Sequence, residues 1–448
     1  MTLRVRKNRR SLRRAMIMSA GIVGTALAPL GPSHADSLNL FRTFTDSGVV
    51  SPEERARREE VRTELYQRYS ADYEINVPFV SEASVAALQA AIQRYQGIVQ
   101  SGGWPVITEK VTLRPGDTDQ AIANIRRRLI IEGDLPAGSS VSPVFDDEFL
   151  AGLARFQVRN GLRVSGFVDS RTVATLGISA DERLRQLESN LARIQGLMSI
   201  NKAPRYVLVN VPAFVAQAVD KGNLALQSNV ITGKPARATP QVSAKIVEIN
   251  FFPTWSVPDT VAQQDLIPKL RKDPSYFAEE HFSVMTDWKS PPLDPTTVDW
   301  NSPEVVSYKF RQDPGTFNAL GVVRINMPNK YSVYMHDTPL KQLFSQSARA
   351  FSSGCVRVEK VLDLVAWLLS EKKGWTLEKV QEQVDSAQKL DVKLARPVPV
   401  HFVYITAFAT GNGVAEFRPD IYGRDSGFGG PDDQNDAVIA QQARAVTP

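Results

Sequence analysis

The sequence predicts a multidomain α+β protein in which helical segments come first and a mainly β domain comes last. Apolar side chains recur at helical spacing up to about residue 199, whereas short runs of β-branched residues dominate from Tyr206 onward. Such a change of period along one chain is typical of helical and β regions that fold as separate units. The length of 448 residues allows roughly two to four domains.

Residues 1–35 have the pattern of a secretory signal peptide. Seven basic and no acidic side chains lie in residues 1–14, an apolar stretch follows from Ala15, and the small-residue sequence Ser33-His34-Ala35 precedes Asp36. A basic region, an apolar core and a small-residue cleavage site are the parts of an export signal. We expect cleavage near Ala35 and a soluble periplasmic protein, with an uncleaved membrane anchor as the alternative.

The net positive charge of the chain comes from this segment. The whole sequence has 53 Lys and Arg against 48 Asp and Glu, and seven of the basic residues lie in residues 1–35. Residues 36–448 therefore hold 46 basic and 48 acidic side chains, which removes the charge argument for a nucleic-acid partner.

A single cysteine excludes an internal disulfide and any multi-cysteine metal site, and we expect neither a metal nor another cofactor.

Helix signals divide the N-terminal half. We predict a helical scaffold over residues 36–110, a three-helix unit over 111–179 and a charged linker helix over 180–204. In the three-helix unit, the predicted helix starts are Thr118 or Asp119, then Asp146-Asp147, then Asp169, because these side chains can accept hydrogen bonds from the free N–H groups of a first turn.

The β domain is predicted over residues 205–425. Its strand candidates are runs of β-branched and aromatic residues, namely Tyr206–Val211, Ala244–Ile249, Val322–Asn326, Tyr331–Met335 and His401–Phe408. A polar, proline-interrupted stretch at about 259–310 predicts a helical subdomain inserted into this domain. Residues 426–448 are rich in glycine and polar side chains, which predicts a disordered tail.

The lone cysteine is the first candidate for chemistry. Cys355 lies in Ser352-Ser353-Gly354-Cys355-Val356-Arg357-Val358, between the strand predicted to end near His336 and a helix predicted from about Glu359. An unpaired cysteine is often an inert core residue. Here Gly354 permits close backbone approach, a loop-to-helix start would supply N–H donors, and Arg357 brings a positive charge that favours the thiolate.

A cysteine nucleophile needs a base, because a thiol with a pKa of about 8.5 is only slightly ionised at neutral pH. His34 falls in the signal segment, which leaves three histidines. His401 lies in an apolar strand and is interpreted as a core residue, and His281 lies in the insertion and is interpreted as a surface residue. His336 ends a predicted strand, and it is the best candidate for the base.

Two stretches resemble known families. Phe156-Gln157-Val158-Arg159-Asn160-Gly161-Leu162, followed by Gly166 and Thr172, resembles the peptidoglycan-binding module of cell-wall enzymes, which binds glycopeptide in some members and is a scaffold in others. His336-Asp337-Thr338 and Ser353-Gly354-Cys355-Val356-Arg357, in which Cys355 comes 19 residues after His336, together resemble the L,D-transpeptidase (YkuD-type) signature. The segments Pro253–Pro258, Asn318–Gly321 and Arg418–Asp425 are similar to the larger periplasmic subgroup, in which an inserted subdomain caps the site.

The resemblance implies roles for individual residues. Cys355 is expected to be the nucleophile and His336 the base, oriented by the backbone carbonyl of Asp337. The backbone N–H groups of Cys355 and Gly354, together with Tyr334, are the expected oxyanion donors. Arg357 is either a supporting catalytic residue or a structural one. Tyr334, Ser353 and Trp255 are the expected substrate contacts, although Trp255 is equally compatible with a core position.

The resemblance also implies the reaction. The thiolate would attack a peptidoglycan tetrapeptide stem, release D-alanine and pass the acyl group to the amine of another stem, which gives a 3–3 cross-link. The motif leaves the acceptor open: it is a second stem, an outer-membrane protein to be tethered, or water in an L,D-carboxypeptidase. A non-catalytic wall-binding scaffold is a further alternative. The expected partner is peptidoglycan, and we expect a monomer.

Overall fold

The computed structural model describes residues 52–70, 73, 75–108, 110–409 and 413–425. They form N-terminal helices, a three-helix unit and a large β domain, which confirms the α+β class. The predicted signal peptide and the predicted disordered tail lie outside the described residues. Within the described ranges, no helix has the length and apolar character required to span a membrane.

The helices that precede the β domain begin where the sequence predicts. They are α1 (Pro52–Ser70), α2 (Glu82–Gln100), α3 (Gln120–Glu132), α4 (Asp147–Arg159), α5 (Ser170–Leu176) and α6 (Ala180–Gly196). Asp119, Asp146 and Asp169 are the N-caps of α3, α4 and α5, and each carboxylate accepts a backbone N–H of the first turn. These caps satisfy donors that a helix start leaves without partners.

The β domain contains fourteen strands in the described ranges, together with five further helices. The strands are β1 (Arg205–Asn210), β2 (Val215–Asp220), β3 (Asn223–Gly233), β4 (Val242–Phe251), β5 (Trp255–Ser256), β6 (Phe282–Met285), β7 (Lys309–Gln312), β8 (Val323–Asn326), β9 (Met335–His336), β10 (Ala350–Ser352), β11 (Val356–Val358), β12 (Leu390–Val403), β13 (Ala407–Ala409) and β14 (Ala415–Phe417). The helices are α7 (Asp259–Val261), α8 (Ile267–Lys272), α9 (Tyr276–Glu279), α10 (Val361–Leu369) and α11 (Leu377–Asp385).

Nine of these strands form one sheet in the order β10-β3-β11-β9-β8-β4-β12-β1-β2, and β3 also pairs with β2, so the strand order closes on itself. The sheet encloses a core of aliphatic side chains, against which α10 packs Val361, Leu364 and Leu368. Strands β9 and β11 lie side by side within this sheet. The sheet therefore holds the two segments of the catalytic signature together.

The inserted subdomain consists of residues 255–312. It contains α7, α8 and α9, and also a three-stranded sheet in the order β5-β7-β6, so the insertion predicted as helical is of mixed composition. It has its own core, which includes Leu266, Phe277, Trp300 and Phe310. The fully buried Asn318 anchors its base, because the Asn318 Nδ2 donates to the carbonyl of Pro253 at 3.2 Å and to that of Asp313 at 2.8 Å.

The peptidoglycan-binding-like unit is fixed to its neighbours through its own motif. Gln157 is fully buried and makes hydrogen bonds inside the unit with Ser165, Phe167 and Thr172. Asn160 Oδ1 accepts from Arg183 Nη2 of α6 at 2.7 Å. In addition, Arg418 Nη1, just beyond β14, donates to the Arg159 carbonyl at 3.1 Å. These motif residues therefore connect the unit to the β domain.

Candidate active site

The register of two short strands brings the catalytic signature together. Strand β11 runs parallel to β9, with Val356 opposite Met335 and Arg357 opposite His336. The Val356 N–H donates to the Tyr334 carbonyl at 3.0 Å, which places Cys355 beside Tyr334. Because side chains alternate across a strand, Cys355 and Arg357 share one face with Tyr334 and His336. Met335, Val356 and Val358 point into the core, where all three are fully buried.

Hydrogen bonds hold the nucleophile loop, residues 352–355, in a tight turn. Ser352 Oγ donates to the Cys355 carbonyl at 2.6 Å and accepts from the Gly354 N–H at 3.1 Å. Thr239 Oγ1 donates to the Gly354 carbonyl at 2.9 Å. Gly354 has a φ of 116°, a backbone conformation that strains any residue with a Cβ. The turn therefore requires glycine immediately before the cysteine.

Two expectations for this loop are corrected. The Gly354 N–H is already donated to Ser352 Oγ, so Gly354 supplies conformation and not an oxyanion donor. The predicted helix start also lies further along the chain: Cys355 leads directly into strand β11, and α10 begins only at Val361. A helix dipole therefore does not act on the thiol. The Cys355 N–H makes no hydrogen bond within the described chain, and it is the remaining backbone donor at this position.

Burial keeps both members of the cysteine–histidine pair neutral. Desolvation raises the pKa of the half-buried Cys355 thiol to about 11, although hydrogen bonding from Tyr334 and the positive charges of Arg357 and Arg324 act in the opposite direction. Desolvation, reinforced by the charge of Arg357, lowers the pKa of His336 to about 3. At neutral pH, both shifts favour the uncharged forms, a thiol at Cys355 and a neutral imidazole at His336.

Two arginines flank His336 across the sheet. In the register of the strands, His336 lies opposite Arg324 on β8 and opposite Arg357 on β11. Arg324 Nε donates to Asn250 Oδ1 at 3.0 Å, and its guanidinium lies 5.7 Å from the centre of the Tyr334 ring. By contrast, the Nε of Arg357 is buried and has no hydrogen-bond partner among the described residues. The positive charge of Arg357 is therefore not paired with a carboxylate of the described chain, and it lies on the face of the sheet that carries Cys355.

Tyr334 joins the inserted subdomain to the site. Its ring packs edge-on against the His336 ring with centroids 5.6 Å apart. Burial and the nearby Cys355 raise the pKa of the Tyr334 hydroxyl, whereas hydrogen bonding from Trp255 on β5 lowers it. Trp255 also packs with Phe282 in the subdomain. The structure thus brings Trp255, Tyr334, His336 and Cys355 together.

Asp337 acts at the site through both its backbone and its side chain. Burial and Arg357 lower the pKa of His336, and the carbonyls of Asp337 and Leu320 act in the opposite direction. His336 Nδ1 makes no hydrogen bond of ordinary geometry within the described residues. The Asp337 side chain accepts the Val322 N–H at 3.0 Å and forms an ion pair with Lys341. A Cβ at Gly321 would lie only 2.3 Å from this carboxylate, so glycine is required for the close packing behind His336.

The other two histidines lie outside this cluster. His401 is fully buried, and its Nδ1 is 2.8 Å from Ser243 Oγ, as expected for a core residue. His281 is exposed in the inserted subdomain and stacks on Phe317 at 4.0 Å. In the described ranges, no group of three or more His, Cys, Asp or Glu side chains is arranged to hold a metal ion.

Sequence reasoning missed two arginines of this region. Arg324 lies in a predicted strand, but its position opposite His336 depends on strand register. Arg237 lies between β3 and β4, and its Nη1 donates to Ser353 Oγ of the nucleophile loop at 2.8 Å. Neither residue belongs to a local sequence motif. The alternation of apolar and polar residues in β8 gave an indication of the position of Arg324, and nothing comparable indicated that of Arg237.

Comparison with known families agrees with this arrangement. Residues 204–398 match the family model of the L,D-transpeptidase catalytic domain, YkuD. Over this segment the chain is similar to the catalytic domain of L,D-transpeptidases. Residues 118–176 match the model of the "Putative peptidoglycan binding domain". Both resemblances are thereby confirmed.

A curated relative supports the same assignment. The chain is 36% identical over 220 residues to a "Putative L,D-transpeptidase" of Haemophilus influenzae, an alignment that covers 49% of this chain and 44% of the relative. The chain thus spans less than half the length of that relative.

Similar solved structures include an L,D-transpeptidase from Mycobacterium smegmatis, with 12% identity, a TM-score of 0.22 and coverage of 45% of this chain and 59% of that one. L,D-transpeptidase 1 of Mycobacterium tuberculosis gives 13% identity, a TM-score of 0.17 and coverage of 45% and 62%. These alignments are too weak to add to the assignment.

Proposed function

We propose that the protein is a periplasmic L,D-transpeptidase that forms 3–3 cross-links in peptidoglycan through a Cys355 thioester. The observation that carries the proposal is the parallel register of β9 and β11, which places His336 and Cys355 on one face of the sheet. The catalytic-domain match and the peptidoglycan-binding match in one chain support a cell-wall substrate. The sequence pattern of residues 1–35 supports export.

In the first half-reaction, the Cys355 thiol gives its proton to His336 as the sulfur attacks the carbonyl of the L-centre of diaminopimelate. The Cys355 N–H, which has no partner in the described chain, donates to the resulting oxyanion. Collapse of this intermediate breaks the bond to the terminal D-alanine, and the imidazolium returns its proton to the leaving amine. The product is a thioester on Cys355 and free D-alanine.

In the second half-reaction, an acceptor amine attacks the thioester carbonyl. His336 takes a proton from the amine, the C–S bond breaks, and the proton returns to the thiolate. With the side-chain amine of a neighbouring stem as acceptor, the product is a 3–3 cross-link. A protein amine or water would use the same acyl-enzyme, so identification of the acceptor requires product analysis.

The charges around the pair support this sequence of events. Arg357 and Arg324 lower the pKa of Cys355, and they therefore stabilise the negative sulfur that forms during attack. Arg357 also lowers the pKa of His336, which disfavours a resting imidazolium. Burial and these charges therefore favour the neutral thiol and imidazole as the resting state of the pair.

Incubation with a disaccharide-tetrapeptide, followed by mass spectrometry, tests the proposal. The wild type is expected to release D-alanine, to carry a thioester adduct and to form cross-linked dimers. Cys355→Ala should lose all three products, and His336→Ala should lose acylation by more than about 100-fold because proton transfer is removed. His401→Gln is the matched control, because His401 is a buried histidine away from the site, and it should keep acylation.

The products separate the alternatives. Tripeptide monomers without dimers would show a carboxypeptidase, and tripeptide linked to a supplied acceptor protein would show a tethering enzyme. Full D-alanine release by Cys355→Ala would contradict the proposed nucleophile.

A further inference from the structure

A chain of polar contacts links the inserted subdomain to the nucleophile loop. Asp265 lies in the subdomain and forms a two-point ion pair with Arg237, in which Arg237 Nη2 is 3.1 Å from Asp265 Oδ1. Arg237 Nη1, which also pairs with Asp265 Oδ2, donates to Ser353 Oγ at 2.8 Å. Ser353 is two residues before Cys355. One guanidinium therefore contacts both the subdomain and the loop that carries the nucleophile.

The position of Asp265 follows from a proline in its helix. Helices α7 and α8 are joined without a break by a π-helical turn, Ala262–Leu266, and Pro268 follows in the first turn of α8. Proline lacks an N–H, and its ring clashes with the carbonyl four residues earlier. A widened π turn relieves that clash, and such turns are frequent at functional sites. This turn contains Asp265.

The segment around Arg237 holds the nucleophile loop from the same side. The Lys234 N–H donates to the Ser352 carbonyl at 3.0 Å, and Thr239 Oγ1 donates to the Gly354 carbonyl at 2.9 Å. Tyr422 fixes this segment in turn, because its hydroxyl donates to the Gly233 carbonyl at 2.6 Å and accepts the Thr239 N–H at 3.1 Å. Arg237 is thus the point at which the inserted subdomain joins a clamp on residues 352–354.

We propose that Asp265 and Arg237 are positioning residues, through which the inserted subdomain holds the nucleophile loop in its reactive geometry. The inference rests on the proposed function and adds to it a role for the subdomain at the catalytic centre itself. The ion pair is partly exposed, with 40% exposure at the Asp265 side chain, so its contribution to overall stability is expected to be small. Its effect on acylation is expected to be larger, because small displacements of a nucleophile reduce the rate strongly.

Acylation kinetics with the tetrapeptide stem test the inference. Asp265→Ala and Ser353→Ala are each expected to lower the maximal acylation rate by about tenfold, and Asp265→Ala should do so with little change in KM. The double variant is expected to be no slower than either single variant, because both changes break one chain of contacts. Asp265→Glu, which keeps the carboxylate, should recover most of the rate.

The chain offers a matched control. Asp259 and Lys309 form another ion pair within the inserted subdomain, with Lys309 Nζ 2.8 Å from Asp259 Oδ1. Asp259→Ala should leave the acylation rate unchanged. Unchanged rates in Asp265→Ala, or effects of Asp265→Ala and Ser353→Ala that multiply in the double variant, would show an ordinary surface ion pair and overturn the inference.

Hydrogen exchange gives a readout that does not depend on the activity. In Asp265→Ala, the amides of residues 352–356 are expected to exchange several-fold faster than in the wild type, with no change in α3–α5. If the wild type is not acylated by the stem, the proposed function fails, and this exchange result still decides the positioning role. Equal exchange in the wild type and in Asp265→Ala would contradict that role.

Discussion

Arg159 in the peptidoglycan-binding domain and Arg357 beside Cys355 meet very different surroundings. Arg159 is buried with Asp134, to which it donates from Nε at 3.0 Å and from Nη2 at 2.6 Å, and its Nη2 lies 3.2 Å from Glu132. The buried Nε of Arg357 has no partner among the described residues. In the first region the cost of burying charge is offset by carboxylates. In the second, no described carboxylate pairs with the guanidinium, and the proposed reaction would use its positive charge.

The comparison separates a structural region from a chemical one. Around Arg159, the charges are paired with one another. The motif residues Gln157 and Asn160 form hydrogen bonds with neighbouring side chains of the protein. Around Cys355, the Cys355 N–H, His336 Nδ1 and Arg357 Nε have no hydrogen-bond partner in the described chain. These are groups that the proposed acyl transfer would use. We expect substitutions in the two regions to affect different measurements.

The largest effect on stability is expected at Arg159. Arg159→Ala leaves the buried Asp134 without its cation, which should lower the free energy of unfolding by about 3–5 kcal/mol. Urea unfolding followed by circular dichroism measures this change. Replacing both partners, as Arg159→Met with Asp134→Leu, should recover much of the loss because no charge then remains unpaired. A decrease of less than about 1 kcal/mol in the free energy of unfolding of Arg159→Ala would contradict the structural role of Arg159.

Arg357 is expected to show the reverse behaviour. Arg357→Met removes a cation that stabilises the sulfur anion, so acylation should slow by about 10- to 100-fold, or about 1.4–2.7 kcal/mol in barrier height. The free energy of unfolding should stay within about 1 kcal/mol of wild type, because no ion pair is broken. Arg357→Lys keeps the charge and is the matched control. Destabilisation as large as that of Arg159→Ala would instead assign Arg357 a structural role.

The smallest expected effect is a shift in the pH dependence of thiol reactivity. Alkylation of free Cys355 by iodoacetamide, followed by mass spectrometry, should rise with pH towards an apparent pKa of about 11, because burial favours the neutral thiol. Arg357→Met and Tyr334→Phe each remove an influence that lowers this pKa, so their curves should move to higher pH. A wild-type plateau below pH 7 would instead show a resting thiolate–imidazolium pair.

The sequence predicted those features that depend on residues close together in the chain. It was less informative about features that depend on how distant strands pair. The roles expected of Cys355 and His336 follow from short motifs, and the three helix starts follow from single aspartates. By contrast, the pairing that puts Arg324 opposite His336 and the contact between Arg237 and Asp265 join residues far apart in the chain. No local pattern encodes such contacts, because they depend on how the whole sheet and the insertion fold.

Strand assignments failed for identifiable reasons. The stretch 331–334, predicted as strand, is irregular: Ser332 has a φ of 55°, and Asn329 Nδ2 donates to the Val333 carbonyl at 2.7 Å. Strands β2 and β3 were not predicted. The first half of β12 was missed as well, because Pro397 and Pro399 argue against a strand interior. The structure accommodates the prolines with a register shift between Lys393 and Val398.

Strand β12 has a consequence for how the enzyme is made. It lies between β4 and β1, and it pairs Val400 with Val207, so one of the first residues of the domain needs one of the last as its neighbour. Pairings between such distant residues are slow, because a long loop must close before any contact compensates for the lost entropy. The sheet that positions Cys355 cannot be completed until the ribosome has passed residue 403. A chain interrupted before β12 therefore lacks a central strand of the sheet that carries His336 and the segment after Cys355.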